Sequence, residues 1–190
     1  MVVRGLMSRF DVLLDGRRQI VALHLPGDMC DLHSVPVPTS GWGLEALTET
    51  TLLFIPHIAL RALIRDAALA LAFWRDTTLD GSIIAKWAAN MGRKQAVPRV
   101  AHLLCELGIR MELAGLGTRA DFALPINQAQ LADAVGMTSV HLNRTLRSLA
   151  DRGVTFARKR VRIADWRATA ALAEFDPAYL LLPAEHAVEV

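Results

Sequence analysis

The chain has only two cysteines in 190 residues, Cys30 and Cys105. That is too few for a disulfide framework and fits a reducing compartment. It lacks any uninterrupted apolar run of about 18 residues, so no transmembrane helix and no membrane partner are expected. The opening MVVRGLMSRFDVLLDG has no apolar core followed by a small-residue cleavage site. No signal peptide is expected, and a cytoplasmic location follows. A glycine-rich phosphate loop, an HExxH pair and a GxSxG turn are also missing, and no other catalytic constellation replaces them. An enzyme is therefore not expected. Cys30 and His33 form a CxxH pair, but two ligands do not complete a tetrahedral site and no second pair lies nearby. No metal is expected, and Cys105, beside Leu104, is assigned to a helix core.

What is present indicates a folded protein. Hydrophobic residues make up 53% of the chain, and its length allows one large domain or two small ones. The net charge of +2 hides an asymmetry. Nine basic residues balance nine acidic ones up to Arg93, whereas seven basic residues face two acidic ones between Asn127 and Ile163. A surplus of one sign in one segment is what a phosphate-binding surface needs.

That segment also carries the clearest pattern. Gln128–Val135 has apolar residues at helical spacing, and Gly136 breaks it where a left-handed residue is wanted. Thr138 is a good N-cap for a second helix over Ser139–Leu149, with Leu142, Leu146 and Leu149 as its buried stripe. Ser139, Val140, Asn143, Arg144 and Arg147 are left facing outward. Asp151-Arg152-Gly153 closes that helix, and VTFARKRVRI, Val154–Ile163, reads as a hairpin with a basic tip. Helix, turn, helix and basic hairpin in this order predict a winged helix that binds double-stranded DNA. The alternative is a ligand or redox sensor whose winged helix contacts protein instead of DNA.

The segment LADAVGMTSVHLNRTLRSLADRG resembles the C-terminal domain of the Crp/Fnr family, and the tail RIADWRATAALAEFDPAYLLL is also similar to that family. The resemblance implies an α+β protein: an effector-sensing β-roll like a cyclic-nucleotide-binding domain, a long dimerisation helix and a winged helix-turn-helix. Residues 1–65 would be the partial β-roll, 66–93 the dimerisation helix and 94–190 the DNA-binding domain. It further implies a homodimer that regulates transcription, with RNA polymerase as a further partner. Ser139, Val140 and Arg144 fall on the family's base-reading positions, with His141 and Asn143 as lesser candidates. Val140 stands where cyclic-AMP-responsive members carry a glutamate, so packing on a thymine methyl replaces a cytosine contact. Thr138, Arg147, Arg158, Lys159 and Arg160 are expected to hold phosphates and set register.

The first third reads as β-structure. Val12-Leu13-Leu14 and Ile20–Leu23 flank Asp15-Gly16, a hairpin signal, and TTLLFI, Thr50–Ile55, reads as a buried strand stopped by Pro56. Val35–Gly43 is expected to loop. In the family several strands precede this point, so the roll is expected to lack its first strands or to begin upstream of Met1. Where cyclic-nucleotide members have a Gly-Glu-Leu cassette and a phosphate-neutralising Arg, this chain has Asp31-Leu32-His33-Ser34 and then GWGLEAL without the Arg. With Asp28 and Asp31 close by, cyclic AMP is not the expected effector. No cofactor is assigned. His33 is expected at the surface and Trp42 in the core.

Pro56–Arg65 is read as a short helix. A long helix from Asp66 to about Gly92 places Leu69, Ala72, Asp76, Leu79, Ile83, Trp87 and Asn90 or Met91 near heptad spacing, as a dimer seam would. A hinge near Arg93–Val97 precedes a helix over Pro98–Leu113, and Asp165–Glu174 is expected to be helical. The last residues are expected to fray.

Overall fold

The computed structural model describes residues 1–39 and 41–182. It divides into two compact units, Met1–Ala85 and Lys86 onward. The expected fraying of the chain end falls on 183–190, outside the described residues.

In the first unit β2 (Met7–Val12) and β3 (Arg18–His24) form the hairpin expected around Asp15-Gly16. Gly16 turns the chain at φ 82°, and the Asp15 carboxylate accepts from the Arg17 backbone N–H at 3.0 Å. β4 (Gly43–Ala46) pairs with the other edge of β2. Gly43 lies opposite Phe10, where a Cβ would collide with the ring. Glycine lets the ring lie across the strand. A second, two-stranded sheet joins β1 (Val2–Arg4) to β5 (Thr51–Leu52).

Two expectations fail here. The strand predicted over Thr50–Ile55 shrinks to the two residues of β5, because β1 offers only a short partner. Beyond it Leu53 and Phe54 are 47% and 85% exposed, not buried. Trp42, expected in the core, is 46% exposed on the run leading into β4.

α1 (His57–Leu63) is followed by α2 (Ala67–Arg93). The seam predicted on α2 needs correcting. Ile83, Trp87 and Asn90 are buried within the chain, and Asp80 receives Nη1 of the buried Arg9 at 2.8 Å. Asp76 is half-buried, and its carboxyl is pushed up to about 6, first by burial and then by Asp28 and Asp80. The later part of this face packs on its own protein, whereas Leu69 and Ala72 at its start are exposed. A different heptad series, Leu71, Trp74, Thr78, Gly81, Ala85 and Ala88, is exposed along its whole length and carries no charge. Spacing alone could not separate the two series because both fit an amphipathic helix.

The border between the two compact units falls inside α2, at Ala85–Lys86. The reason is visible in the second unit. Its central helix α3 (Ala96–Leu113) carries Glu106, fully buried, which accepts from Trp87 Nε1 at 2.8 Å and from the Tyr179 hydroxyl at 2.9 Å. Arg110 Nη1 donates to the same carboxylate at 3.2 Å. Burial pushes the Glu106 carboxyl up while these donors hold it down. The end of α2 is thereby part of this core. Lys94 closes the same region by donating Nζ to the carbonyls of Ala173 and Glu174, the last at 3.1 Å.

Around α3, β6 (Gly117–Thr118), β7 (Asp121–Ala123), β8 (Val154–Ala157) and β9 (Arg160–Ile163) form an antiparallel sheet in the order β6-β7-β9-β8. α4 (Gln128–Val135) and α5 (Ser139–Ala150) lie in sequence between β7 and β8, and α6 (Trp166–Ala173) follows β9. Phe122, Leu124, Leu131, Leu142, Leu149 and Val161 are fully buried, so strands and helices share one core.

Candidate nucleic-acid interface

The helix pair is fixed by its caps. Asn127 and Gln130 form a reciprocal capping box at the start of α4, each side chain meeting the other's backbone N–H at 2.8 Å. Gly136 ends α4 in the left-handed conformation at φ 64°, and the next N–H, of Met137, returns to the Ala132 carbonyl at 3.0 Å. Thr138 then caps α5 by accepting the His141 N–H at 3.2 Å. Its hydroxyl proton remains free to donate outward.

α5 presents the residues the sequence selects, with one exchange on its inner side. Leu142 and Leu149 are buried as expected, but Leu146 is only half-buried and Thr145 takes the inward place. The Thr145 hydroxyl donates to the His141 carbonyl at 3.0 Å, which satisfies it locally. Ser139, Val140, His141, Arg144 and Arg147 are exposed, Val140 by 65%. Ser139, Val140, Asn143, Arg144 and Arg147 line one open hollow together with Gln128 from α4. His141 does not line it.

The wing is a two-residue hairpin whose turn is Arg158-Lys159, at φ 50° and 59°. Both residues therefore adopt the left-handed form that such turns normally reserve for Asn-Gly. Lys159 is anchored through its carbonyl, which accepts the Leu124 N–H at 2.9 Å. Both basic side chains are exposed, and with Arg144 and Arg147 they form no ion pair among the described residues.

Arg160 is different. Its Nε sits 2.5 Å from Asp121, which Arg162 also approaches at 3.7 Å. The hydrogen bond from Arg160 holds the Asp121 carboxyl below its ordinary value. Half of the wing's cations thus face an acid from β7. Counting charge only from Asn127 onward misses that acid, because β7 lies earlier in the chain and joins the wing only through sheet pairing. Gln128 escapes sequence reasoning for a related reason: the pattern marks it only as the first residue of a helix.

The cysteines and His33 are held by their own surroundings. Cys30 is buried and its thiol is pushed up to about 11 by burial, while its carbonyl accepts from Arg9 at 2.8 Å. His33 Nε2 lies 3.3 Å from Asp31. Burial likewise pushes the Cys105 thiol up to about 12. Among the described residues, no three of His, Cys, Asp and Glu are grouped to hold a metal ion, and no helix is long and apolar enough to cross a membrane.

Two capped helices at a left-handed glycine, followed by a basic two-stranded wing, define a winged helix-turn-helix module. Residues 98–172 match the family model of the Crp-like helix-turn-helix domain. The chain is similar to the nitrogen fixation regulation protein FixK of Rhizobium meliloti (strain 1021), with 29% identity over 153 residues, 80% of this chain and 66% of that protein. FixK of Azorhizobium caulinodans is also 29% identical, over 161 residues covering 80% of this chain and 61% of the relative. The solved structure of FixK2 from Bradyrhizobium japonicum superposes with a TM-score of 0.75 at 28% identity, covering 90% of this chain and 85% of that one. Residues 98–172 thus carry a Crp-like helix-turn-helix domain, and the chain as a whole is similar to regulators of the Crp/Fnr family. It spans 61–66% of the length of the FixK proteins it matches.

Proposed function

We propose that this protein is a sequence-specific DNA-binding transcription regulator of the Crp/Fnr type, which acts as a homodimer with α5 of each copy in a major groove. The observation that carries this reading is a set of four exposed cations on α5 and the wing tip, Arg144, Arg147, Arg158 and Lys159, with no acid partner among the described residues. Such cations displace counterions from a duplex at little desolvation cost. The exposed, uncharged heptad series on α2 supports the homodimer, since an apolar stripe of this kind gains stability by meeting its copy.

Within α5, Arg144 is assigned to guanine O6 and N7, with Ser139 and Val140 beside it. Arg147, one turn later, and the wing tip are assigned to phosphates. Arg160, shared with Asp121, contributes less. Cyclic AMP is not the effector in this reading, because carboxylates stand at Asp28 and Asp31 where its phosphate would need a cation. RNA polymerase remains the expected partner of a regulator that activates.

Site selection from a random duplex library, followed by salt titration, tests the proposal. Binding should weaken with salt by a slope of about −0.9 per neutralised phosphate. Arg144→Ala should cost roughly 1–3 kcal/mol at the selected site and relax one base pair per half-site, whereas Arg147→Ala should weaken selected and random DNA alike. A salt-independent affinity, or an unchanged consensus for Arg144→Ala, contradicts it.

A further inference from the structure

Asn143 on α5 donates Nδ2 to Gln128 Oε1 on α4 at 3.2 Å. Both side chains line the hollow that also contains Arg144. This contact joins the supporting helix to the helix assigned to base reading, so it bears on how that helix reads.

A carboxamide carries one acceptor oxygen and two N–H donors. Left alone on an exposed helix face, it can turn over and present either edge, and it would then prefer no base. In this protein one N–H of Asn143 is already taken by Gln128. The amide nitrogen is turned toward α4, and the remaining N–H and Oδ1 form its free edge. That donor–acceptor edge is what asparagine uses on adenine, giving to N7 and accepting from N6. Gln128 is itself fixed in place as the first residue of α4, directly after Asn127 of the Asn127–Gln130 capping box.

We propose that Gln128 is a positioning residue for sequence readout: it orients the Asn143 amide so that Asn143 selects adenine at a base pair of each half-site other than the one read by Arg144. The inference rests on α5 being the base-reading helix.

The test is site selection and competition binding with the full chain and three variants, Asn143→Ala, Gln128→Ala and Gln128→Glu. The wild type should select adenine at one position per half-site, with a discrimination of about 5- to 100-fold. Asn143→Ala should lose that preference and keep the guanine assigned to Arg144. Gln128→Ala should relax the same adenine and no other position. Gln128→Glu retains an acceptor for the Asn143 N–H, so it should keep the adenine preference although its negative charge lowers overall affinity. Both substituted residues are at least partly exposed, and unchanged melting would show that the variants fold. A uniform loss of affinity in Gln128→Ala with the consensus intact makes Gln128 a backbone contact and overturns the inference while leaving the regulator reading in place. An unchanged consensus in Asn143→Ala overturns it in the same way. If the wild type selects no consensus at all, the base-reading role of α5 falls, and this inference falls with it.

Discussion

Of the twenty large apolar side chains left exposed among the described residues, sixteen lie from Met1 to Trp74 and four from Leu113 to Leu181. The second unit closes its core around α3 and presents polar side chains and cations outside. The first unit has two small sheets with short strands, and it leaves Leu14, Phe54, Ile58 and Trp74 more than 70% exposed. Single exposed apolar groups are ordinary, but this many in one unit mark surface that gains by being covered. The winged-helix unit is thus made by its own packing, whereas the first unit and the start of α2 leave apolar surface uncovered.

The strongest way to break that contrast is to unmake the second core from inside. Glu106→Ala would strand Trp87 Nε1, the Tyr179 hydroxyl and Arg110 around a cavity. Its expected cost is about 3–5 kcal/mol in denaturant unfolding. A loss under 1 kcal/mol, roughly the scale of one ordinary hydrogen bond, would mean that the carboxylate is not a hub.

The second test addresses the exposed series on α2. Trp74→Glu touches little within the chain and should leave the melting of an isolated copy almost unchanged. It should nevertheless weaken the dimer by about 2 kcal/mol or more, as the loss of a buried aromatic anchor does. Sedimentation over a concentration series measures this. Trp74→Glu dimerising like the wild type would move the interface elsewhere.

A smaller effect should separate the units by pH. Asp76 has its carboxyl raised to about 6 from 3.8. The folded protein therefore binds that proton more tightly than the unfolded chain does. Its contribution is favourable below about pH 4 and is lost as pH rises through about 6. Asp76→Asn should stabilise by about 1–2 kcal/mol near pH 8 and do nothing near pH 4. Equal stabilisation at both would point to packing and not to the proton.

The smallest change concerns the wing. Replacing Arg158-Lys159 with Asn-Gly should relieve two left-handed non-glycine residues and add about 1 kcal/mol of stability. The same change should reduce the salt slope of DNA binding by about two. A stabilised protein with undiminished binding would remove the wing tip from the interface.

Much of the second unit is legible in the amino-acid sequence alone. α4 matches Gln128–Val135 residue for residue, and α5 extends the expected helix by only Ala150. Local chemistry explains this: Asn127, Gly136 and Thr138 are caps that act within one turn, and Leu142 and Leu149 need only helical period to face inward. The first unit is less legible. β1 and β4 carry no clear alternation, and the length of β5 depends on a partner some fifty residues away, as the Val2–Leu52 register shows.

By itself the sequence determined the helix-turn-helix, the hairpin turns and the excess of positive charge after Asn127. These depend on caps, glycine conformations and composition, all of which act over a few residues. Only the tertiary structure decided which heptad series of α2 faces inward, that Asp121 shares Arg160 with the wing, and that Gln128 holds Asn143. Each of these joins residues from separate elements, and period and propensity along a chain contain no information about which distant side chain comes to meet them.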